Sequence, residues 1–453
     1  MNKLLSEVSS LAKRRGFVFP SSEIYGGLAG VYDYGPLGVE LLRNIKALWW
    51  KDMVQKREDI LGLDGSILMH PKAWEASGHV EGFTDPLVDC KDCKRRIRAD
   101  QLKDWEVKKN KIGKWEILKK GSLKCPECGG ELIPQVRQFN ILMETELGVI
   151  EDEKQKVYLK GESCQNIYLD YLNVLDSFSP HLPFGIAQIG KAFRNEISFG
   201  KFIFKTREFE QYDIEYFTAP QDADKFFEKW KKIRFDWYVN RLGIKKENLR
   251  FRQHPESERI FYAKDAWDIE YKYPWGWDEL EGIHNRGDYD LVQHAKFSGK
   301  KHDYFDQESG KRIVPHIIEC SGGVGRTFLA VFLDAFNLQE KDGKKRQVMS
   351  FDSKIAPSLV AVFPLVSNKE ELTKKAREVY EMLSEKMPCA WDDIGNIGKK
   401  YRRQDEAGTP KCVTIDHQTL EDNTVTVRDR DTMKQERVEL DKLLSLLNNE
   451  VCC

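Results

Sequence analysis

The chain has 453 residues, of which 41% are hydrophobic and 32% are charged, as in an ordinary globular protein. This length favours two or three domains with a sizeable core. The formal net charge of −1 excludes a uniformly basic chain, so any contact with nucleic acid would depend on local patches. No apolar run is long enough to span a bilayer, and the N-terminus lacks a signal-peptide pattern, so we expect a cytoplasmic protein.

The first part of the chain combines an amphipathic helix with a lysine-rich segment. Residues 38–58 are predicted to be helical, because four apolar side chains recur on one stripe. These are Leu42, Ile45, Trp49 and Met53. Residues 86–160 are rich in lysine, turn residues and paired cysteines, which predicts an insertion. Within it, residues 91–124 contain 13 Lys/Arg and 5 Asp/Glu, which indicates either a solvated loop or a local basic patch.

Two cysteine pairs lie inside this insertion. The stretches "CKDC" and "CPECGG" place Cys90, Cys93, Cys125 and Cys128 as two CxxC units with 31 residues between them. Four thiolates at this spacing suit a tetrahedral zinc ion, and a cytosolic chain favours metal over disulfides. The alternative is four free thiols in a degenerate insertion.

Residues 186–217 are predicted to form two strands joined by a loop around Ser198–Thr206. Successive strand side chains point to opposite faces, so each strand has a packing face and a polar face. The packing faces hold Ile189, Phe193, Ile197, Tyr212, Ile214 and Tyr216. The polar faces hold Gln188, Arg194, Glu196, Arg207, Phe209, Gln211, Asp213 and Glu215. This is either an exposed sheet with cross-strand salt bridges or a site for an anionic ligand with a planar ring, since guanidinium groups bind phosphate.

A second helical and charged segment follows at residues 221–262 and is predicted to be another insertion. Residues 313–337 then have the pattern of a strand, a glycine-rich turn and a helix, in "ECSGGVGRTFLAVFLDAF". Arg326 lies in the first turn of that helix, where a cation opposes the helix dipole unless an anion is bound nearby. A plain strand–helix turn remains the alternative.

The pattern changes after residue 356. The run "LVAVFPLV" predicts a buried strand, and residues 369–387 predict an amphipathic helix. The stretches "KCVTID" and "TVTVRDRD" predict further strands, and "VELDKLLSLL" predicts a closing helix. Residues 357–453 are therefore expected to form a small α/β domain.

Three of these stretches resemble the signature motifs of the class II aminoacyl-tRNA synthetases. "FRNE" followed by "REF" looks like motif 2, "GVGR" before an apolar helix looks like motif 3, and "ILMHPKAW" looks like motif 1, which builds the dimer interface in that class. Longer stretches narrow the resemblance to the glycyl-tRNA synthetase family of the homodimeric type. They include "VYDYGPLGVELLRNIKALWW", "ASGHVEGFTDPLVDC", "WDELEGIHNRGDYDL", "IIECSGG" and "YRRQDEAGTPKCVTIDHQTLEDNTVTVRDRD".

The resemblance implies an α+β fold, with a class II antiparallel sheet, flanking helices and insertions, and a C-terminal α/β anticodon-binding domain. The catalytic domain would comprise residues 1–85 and 161–350, including the helical insertion at about 221–262. Residues 86–160 would be the zinc-knuckle insertion, and residues 357–453 the anticodon-binding domain. The implied reaction activates glycine with ATP and Mg²⁺ to glycyl-adenylate and transfers it to the 3′ end of tRNA(Gly). Zinc would be structural.

The resemblance also implies roles for individual residues. Arg194 would hold the α-phosphate of ATP and Arg326 the γ-phosphate, and Phe209 would stack on adenine. Together with Glu196 and Arg207, the two arginines form the implied catalytic set. The full ATP-binding set is Arg194, Asn195, Glu196, Phe204, Arg207, Glu208, Phe209, Glu279, Leu280, Gly323, Gly325 and Arg326. The glycine-binding set is Arg98, Glu162, Phe209, Gln211, Asp213, Glu215, Arg286, Glu319 and Ser321. Glu279 and Glu319 are the implied Mg²⁺ ligands.

The chain departs from the family pattern at two places. Residues 161–166, "GESCQN", replace the usual Pro-Glu-Thr-Ala-Gln-Gly, and Cys320 stands where proline is common. One alternative is a related synthetase for proline, threonine or histidine, against which the acids Glu162, Glu215 and Glu319 argue. Another is a synthetase-like tRNA-binding protein without catalysis, which is disfavoured because the three ATP arginines are present.

Overall fold

The computed structural model describes residues 3–102, 104–109, 115–197, 201–255, 264–307, 310–341 and 343–451. Its α-helices are Lys3–Arg14, Pro36–Trp50, Pro71–Ala76, His79–Gly82, Cys164–Phe178, Ala223–Asn240, Tyr289–Ser298, Val324–Ala335, Glu370–Ser384, Ile397–Ala407, His417–Asp422 and Leu440–Val451. A π-helical turn, Lys51–Gln55, extends the second helix. Short 3₁₀ turns are Glu23–Tyr25, Ala99–Gln101, Glu151–Glu153, Phe202–Phe204, Pro220–Asp222 and Lys246–Asn248.

A seven-stranded sheet forms the centre of the molecule. Its strands, in spatial order, are Leu249–Gln253, Asp265–Tyr273, Gly276–Gly287, His316–Gly323, Glu208–Thr218, Phe184–Phe193 and Ile60–Gly62. Neighbouring strands are antiparallel except for the last, which pairs in parallel with Phe184–Phe193. The predicted strand pair and the predicted strand before the glycine-rich turn are both confirmed. The antiparallel core prediction is confirmed with them.

Helices cover both faces of this sheet. The helices Pro36–Trp50, Ala223–Asn240 and Val324–Ala335 pack on one face, where Tyr212, Ile214 and Tyr216 are buried as predicted. The four side chains of the predicted helical stripe are also buried there, and Pro36 starts that helix at a position where its missing N–H costs nothing. On the other face, Tyr168 and Tyr171 of the helix Cys164–Phe178 pack against Phe184 and Phe217.

The prediction for residues 221–262 is right in its first part and wrong in its second. Ala223–Asn240 is a helix, and its Trp230 and Tyr238 are fully buried against the central sheet. Leu249–Gln253 is instead an edge strand of that sheet, because it pairs with Asp265–Tyr273. Residues 256–263 lie outside the described part of the chain.

Small sheets occupy the segment between the first strands and the helix Cys164–Phe178. Thr84–Asp89 pairs with Arg96–Arg98 and with Arg137–Asn140, and Glu106–Lys109 pairs with Trp115–Lys119. Gln155–Leu159 lies between Glu144–Leu147 and Leu68–Met69. Further two-stranded sheets are Val18–Pro20 with Tyr32–Tyr34, Tyr304–Asp306 with Lys311–Ile313, and Phe336–Lys341 with Lys344–Met349.

The C-terminal segment forms a separate five-stranded mixed sheet. The strand order is Cys389–Trp391, Val360–Pro364, Lys411–Ile415, Thr424–Asp429 and Gln435–Glu439. The predicted strands and the helix Glu370–Ser384 are confirmed, with the helix burying Leu372, Ala376, Val379 and Leu383. The closing helix begins only at Leu440, since the residues before it complete the sheet. Among all described helices, none is both long and apolar enough to cross a membrane.

Candidate active site

A cavity of about 330 Å³ opens over the polar face of the central sheet. Strands Glu208–Thr218, Gly276–Gly287 and His316–Gly323 supply its floor, and the start of helix Val324–Ala335 closes one end. Fourteen of the residues predicted from the sequence line it. They are Glu162, Arg194, Glu196, Phe204, Glu208, Phe209, Gln211, Glu279, Arg286, Glu319, Ser321, Gly323, Gly325 and Arg326.

Strand register explains why residues distant in sequence meet here. His284 lies opposite Glu319, and Gly282 lies opposite Ser321, on neighbouring antiparallel strands. Gln211 lies opposite Gly323 on the other side. Because strand side chains alternate, residues two apart on one strand, such as Gly282, His284 and Arg286, reach the cavity together.

One end of the cavity is built from buried ion pairs. Glu319 is 5% exposed and accepts hydrogen bonds from Arg286 Nη1 at 2.9 Å and from His284 Nδ1 at 2.6 Å. Arg286 also forms a two-point contact with Asp290, at 2.8 and 3.0 Å. Burial opposes ionisation of Glu319, but Arg286 and His284 outweigh it and lower its pKa. Glu319 is therefore an anion held in a fixed orientation.

Glu162 forms the second acidic group at this end. Its Oε1 lies 3.0 Å from His79 Nε2 and accepts a hydrogen bond from Gln165 at 3.1 Å. Burial favours the neutral acid, but the charges of His79 and Arg286 outweigh it, so the pKa of Glu162 lies well below its usual range. The cavity thus presents two ionised carboxylates beside Ser321.

Arginines occupy the rest of the cavity wall. The Arg194 guanidinium donates from Nε to the Gly161 carbonyl oxygen at 3.0 Å and lies 5.3 Å from the centre of the Phe209 ring. The Arg326 guanidinium lies 4.6 Å from the centre of the Phe204 ring, and its Nη1 pairs with Glu279 Oε1 at 2.9 Å. The cavity therefore has an acidic end, a cationic end and aromatic faces beside the cations.

Six predicted site residues lie outside the cavity lining. Leu280 is in the apolar core, and Asn195 is held through its backbone N–H by the Ile141 carbonyl oxygen. Arg207 donates to the backbone oxygens of Glu196 and Ala29, at 3.2 and 3.1 Å. Arg98 pairs with Asp85 and Asp100 at 2.8 and 2.7 Å. The other two are Asp213 and Glu215.

Asp213 and Glu215 lie on the cavity face of the sheet, opposite Ser321 and Glu319, but in a part that other elements cover. They are 1% and 0% exposed, which excludes the alternative of a solvent-exposed sheet. Burial raises the pKa of Asp213 to about 8, against a hydrogen bond with Ser321 that lowers it. Burial and the neighbouring Glu319 raise the pKa of Glu215 well above its ordinary value, and Tyr168 donates a hydrogen bond to it at 2.7 Å. Both shifts favour the neutral form of the acid, and at neutral pH Asp213 is mostly uncharged.

Comparison with known proteins identifies the family of this chain. The tRNA synthetase class II core domain (G, H, P, S and T) matches residues 145–336, and the anticodon binding domain matches residues 359–450. A glycine–tRNA ligase of Borreliella burgdorferi is 48% identical over 451 residues, which cover 99% of this chain and 97% of that one. The chain belongs to the glycine–tRNA ligase family.

Other comparisons agree with this family. The glycine–tRNA ligases of Acetivibrio thermocellus and Treponema denticola are each 47% identical, over 98% and 99% of this chain and 98% and 97% of theirs. A prolyl-tRNA synthetase of Cryptosporidium parvum, complexed with L-proline and AMP, shares the fold with a TM-score of 0.64. It is 16% identical, and the match covers 98% of this chain and 74% of that chain. The predicted fold class is thereby confirmed.

The two acids predicted to bind magnesium differ in this structure. Glu279 lines the cavity, its side chain is 47% exposed, and one of its oxygens pairs with Arg326. Both oxygens of Glu319 are already engaged, by Arg286 and by His284. Glu279 therefore has more room for a magnesium ion than Glu319.

The four predicted cysteines converge. Cys90 and Cys128 have their sulfur atoms 3.6 Å apart, and those of Cys93 and Cys125 are 3.9 Å apart. Four sulfurs around zinc at the usual bond length would be separated by about 3.8 Å, so the set fits a tetrahedral site. The same fit argues against four unrelated free thiols.

Sequence reasoning missed three side chains that contact the acidic end. His284 lies two residues before Arg286 on one strand, so strand alternation already placed both on the cavity face. His79 Nε2 lies 3.0 Å from Glu162 Oε1 and holds that side chain. Cys164 lines the cavity, and its thiol donates to Glu162 Oε1 at 3.1 Å. His79 lies in one of the stretches that resemble the family, but local periodicity could not show its contact with Glu162, because that contact spans more than eighty residues.

Proposed function

We propose that the protein is an ATP-dependent glycine–tRNA ligase. The observation that carries this proposal is the pairing of a cationic, aromatic wall with a compact acidic end inside one cavity. Arg194 and Arg326 supply the wall, and Glu162 and Glu319 supply the acidic end. A nucleotide polyanion and a small ammonium ion fit such a division of charge.

In the first step, the glycine carboxylate attacks the α-phosphorus of ATP. A new oxygen–phosphorus bond forms, and the bond to the β-phosphate breaks, which releases pyrophosphate and leaves glycyl-adenylate. The carboxylate is ionised at pH 7, so no general base is needed. Catalysis then consists of positioning and of stabilising charge on the phosphoryl oxygens, which we assign to Arg194 and Arg326.

Glycine binding is assigned to the acidic end. Glu162, Glu319 and Ser321 hold the ammonium group of glycine. Arg286 orients Glu319 and faces the side of the site that takes the glycine carboxylate. Asp213 and Glu215 support this site indirectly, through their hydrogen bonds with Ser321 and Tyr168. Space around the glycine Cα is filled by this lining, so that an added methyl group is excluded sterically.

The nucleotide is assigned to the cationic end. Phe209 offers the adenine a stacking face, and Arg326 leaves Glu279 to contact the triphosphate. A magnesium ion bound by Glu279 would neutralise phosphate charge. Arg207 donates to the backbone oxygens of Glu196 and Ala29 and so links the motif 2 stretch to the loop that contains Ala29.

Five further assignments belong to this proposal. Zinc at the four cysteines stabilises the insertion at residues 86–160, and residues 357–453 bind the anticodon of tRNA(Gly). Residues 1–85 and 161–350 form the catalytic domain. The chain forms a homodimer through the motif 1 region, where Ile67 and Leu68 are 39% and 44% exposed. The enzyme works in the cytoplasm.

ATP–pyrophosphate exchange, measured with each of the twenty amino acids separately, tests the function. Exchange with glycine alone, followed by charging of a tRNA(Gly) transcript, is the expected result. Exchange with proline, threonine or histidine would overturn the assignment of glycine as the substrate. No exchange with any amino acid, in a folded and metal-replete sample, would favour a non-catalytic tRNA-binding protein.

A further inference from the structure

Two adjacent acids end the helix Ile397–Ala407 of the C-terminal segment and face the catalytic core. Asp405 is 3% exposed and Glu406 is 4% exposed. Buried carboxylates are costly unless cations pair with them. The partners of these two acids therefore show which parts of the molecule they hold together.

Glu406 joins the C-terminal segment to the first helix of the chain. Arg14 Nη1 donates to Glu406 Oε2 at 2.7 Å, and Arg15 Nε donates to the same oxygen at 2.5 Å. Arg14 also donates from Nη2 to Gln347 Oε1 at 2.8 Å. One buried carboxylate thus fixes two arginines of the core side.

Asp405 forms the other half of this contact. Arg346, on the core hairpin strand Lys344–Met349, donates from Nε to Asp405 Oδ2 at 2.7 Å and from Nη2 to the Arg430 carbonyl oxygen at 2.6 Å. In the reverse direction, Arg430 Nη1 donates to the Phe351 carbonyl oxygen at 3.0 Å. Hydrogen bonds therefore run from the core to the C-terminal segment and from the segment to the core. Because hydrogen bonds are directional, they resist a change of angle between the two parts, whereas apolar contacts alone would let the parts slide.

This contact is remote from the cavity. Every described residue that lines the cavity lies between Tyr32 and Arg326, before the C-terminal segment begins. The adenylate-forming site is therefore complete without the segment. Only a ligand that contacts both parts of the molecule would depend on the angle between them.

We propose that Asp405 and Glu406 are positioning residues for tRNA charging. They hold the anticodon-binding segment at one angle to the catalytic core, so that a tRNA bound to the segment delivers its 3′ end to the cavity. The inference rests on the proposed function, since it concerns the second step of the reaction. It separates the two steps, because adenylate formation does not use the contact.

The test compares Glu406→Gln with the full-length wild-type protein. This variant keeps the side-chain shape and removes the charge that Arg14 and Arg15 share. We expect kcat/KM for a tRNA(Gly) transcript to fall about tenfold, while glycine-dependent ATP–pyrophosphate exchange stays within about twofold. The double variant Arg15→Glu with Glu406→Arg restores the pairing with residue 15 but leaves Arg14 beside a cation, so it should recover part of the charging rate.

Asp392→Asn is the matched control. Asp392 is a buried acid that pairs with Arg403 at 2.6 and 2.7 Å inside the C-terminal segment, so its loss leaves the contact with the core intact. Unchanged charging by Glu406→Gln would overturn the inference, and so would an equal loss in Asp392→Asn. Parallel loss of exchange and charging would also overturn it, since that indicates a general folding defect. Absence of exchange in the wild type would instead overturn the proposed function.

Discussion

Asp213 and Ser321 lie opposite each other on adjacent strands, and only Ser321 lines the cavity. Burial raises the pKa of Asp213 to about 8, so its hydrogen bond to Ser321 is made mainly by the neutral acid. Glu162, a short distance away on the cavity surface, is ionised because cations surround it. The charge of each acid at this site is thus set by its surroundings rather than by its residue type.

Glu162→Gln tests the ionised acid. The variant removes the negative charge that we assign to the glycine ammonium group. We expect the KM for glycine to rise about 10- to 100-fold, which corresponds to about 1.5–3 kcal/mol for a hydrogen bond to a charged group, with the KM for ATP little changed. Steady-state exchange kinetics measure both constants.

Glu210→Gln is the control for this prediction. Glu210 also lines the cavity, but Lys46 Nζ pairs with it at 2.8 Å. Its substitution should leave the KM for glycine close to that of the wild type. An equal rise in both variants would contradict the assignment of Glu162.

Asp213→Asn tests the neutral acid. The folded state holds the Asp213 proton up to a pKa of about 8, whereas the unfolded chain releases it near the ordinary aspartate pKa of 3.8. Between these values the folded state binds more protons, so the free energy of unfolding falls as pH rises. The amide cannot ionise, so the variant should gain in melting temperature relative to wild type from pH 5 to pH 8, with little further change above.

Differential scanning fluorimetry over that pH range measures the difference. The sign of the change is decisive. A wild-type protein that becomes more stable than Asp213→Asn as pH rises would show that Asp213 is ionised in the folded state.

At the scale of elements, the paired CxxC units tie together chain segments that have little core of their own. Cys90 follows the strand Thr84–Asp89, and Cys125 follows the hairpin that ends at Lys119. The apolar cluster around them is small and includes Val88, Trp105 and Leu132. A bound metal ion supplies folding free energy that such a cluster lacks.

Cys125→Ser tests this element. We expect about one zinc ion per chain in the wild type and loss of that zinc in the variant, because three thiolates bind the ion less tightly. Elemental analysis measures the metal, and limited proteolysis should show faster cleavage within residues 86–160. The control variant Cys412→Ser, which changes a buried cysteine of the C-terminal sheet, should keep the zinc ion. Equal zinc in both variants would contradict the site.

At the scale of the whole molecule, the proposed dimer would cover apolar residues of the motif 1 region. Light scattering during size-exclusion chromatography should give twice the mass of one chain. Leu68→Lys should shift the mass towards one chain as the protein is diluted, because a charge would enter the interface. Leu118→Lys, at a residue that is 57% exposed on a separate hairpin, is the control. A wild type with the mass of one chain would rule out the dimer.

The sequence alone determined the elements whose periodicity is local. The helical stripe from Leu42 to Met53, the alternation of the strand pair and the cysteine spacing each predicted the observed placement. The resemblance to the synthetase motifs likewise predicted fourteen of the residues that line the cavity.

The tertiary structure decided what covers each face. Asp213 and Glu215 alternate with apolar residues like the cavity residue Gln211, but they are buried because neighbouring strands and Tyr168 cover that part of the face. Arg207 donates a hydrogen bond to the backbone oxygen of Ala29, in a loop distant in sequence. Strand periodicity gives the side to which a residue points, whereas burial and charge depend on elements that arrive from elsewhere in the chain.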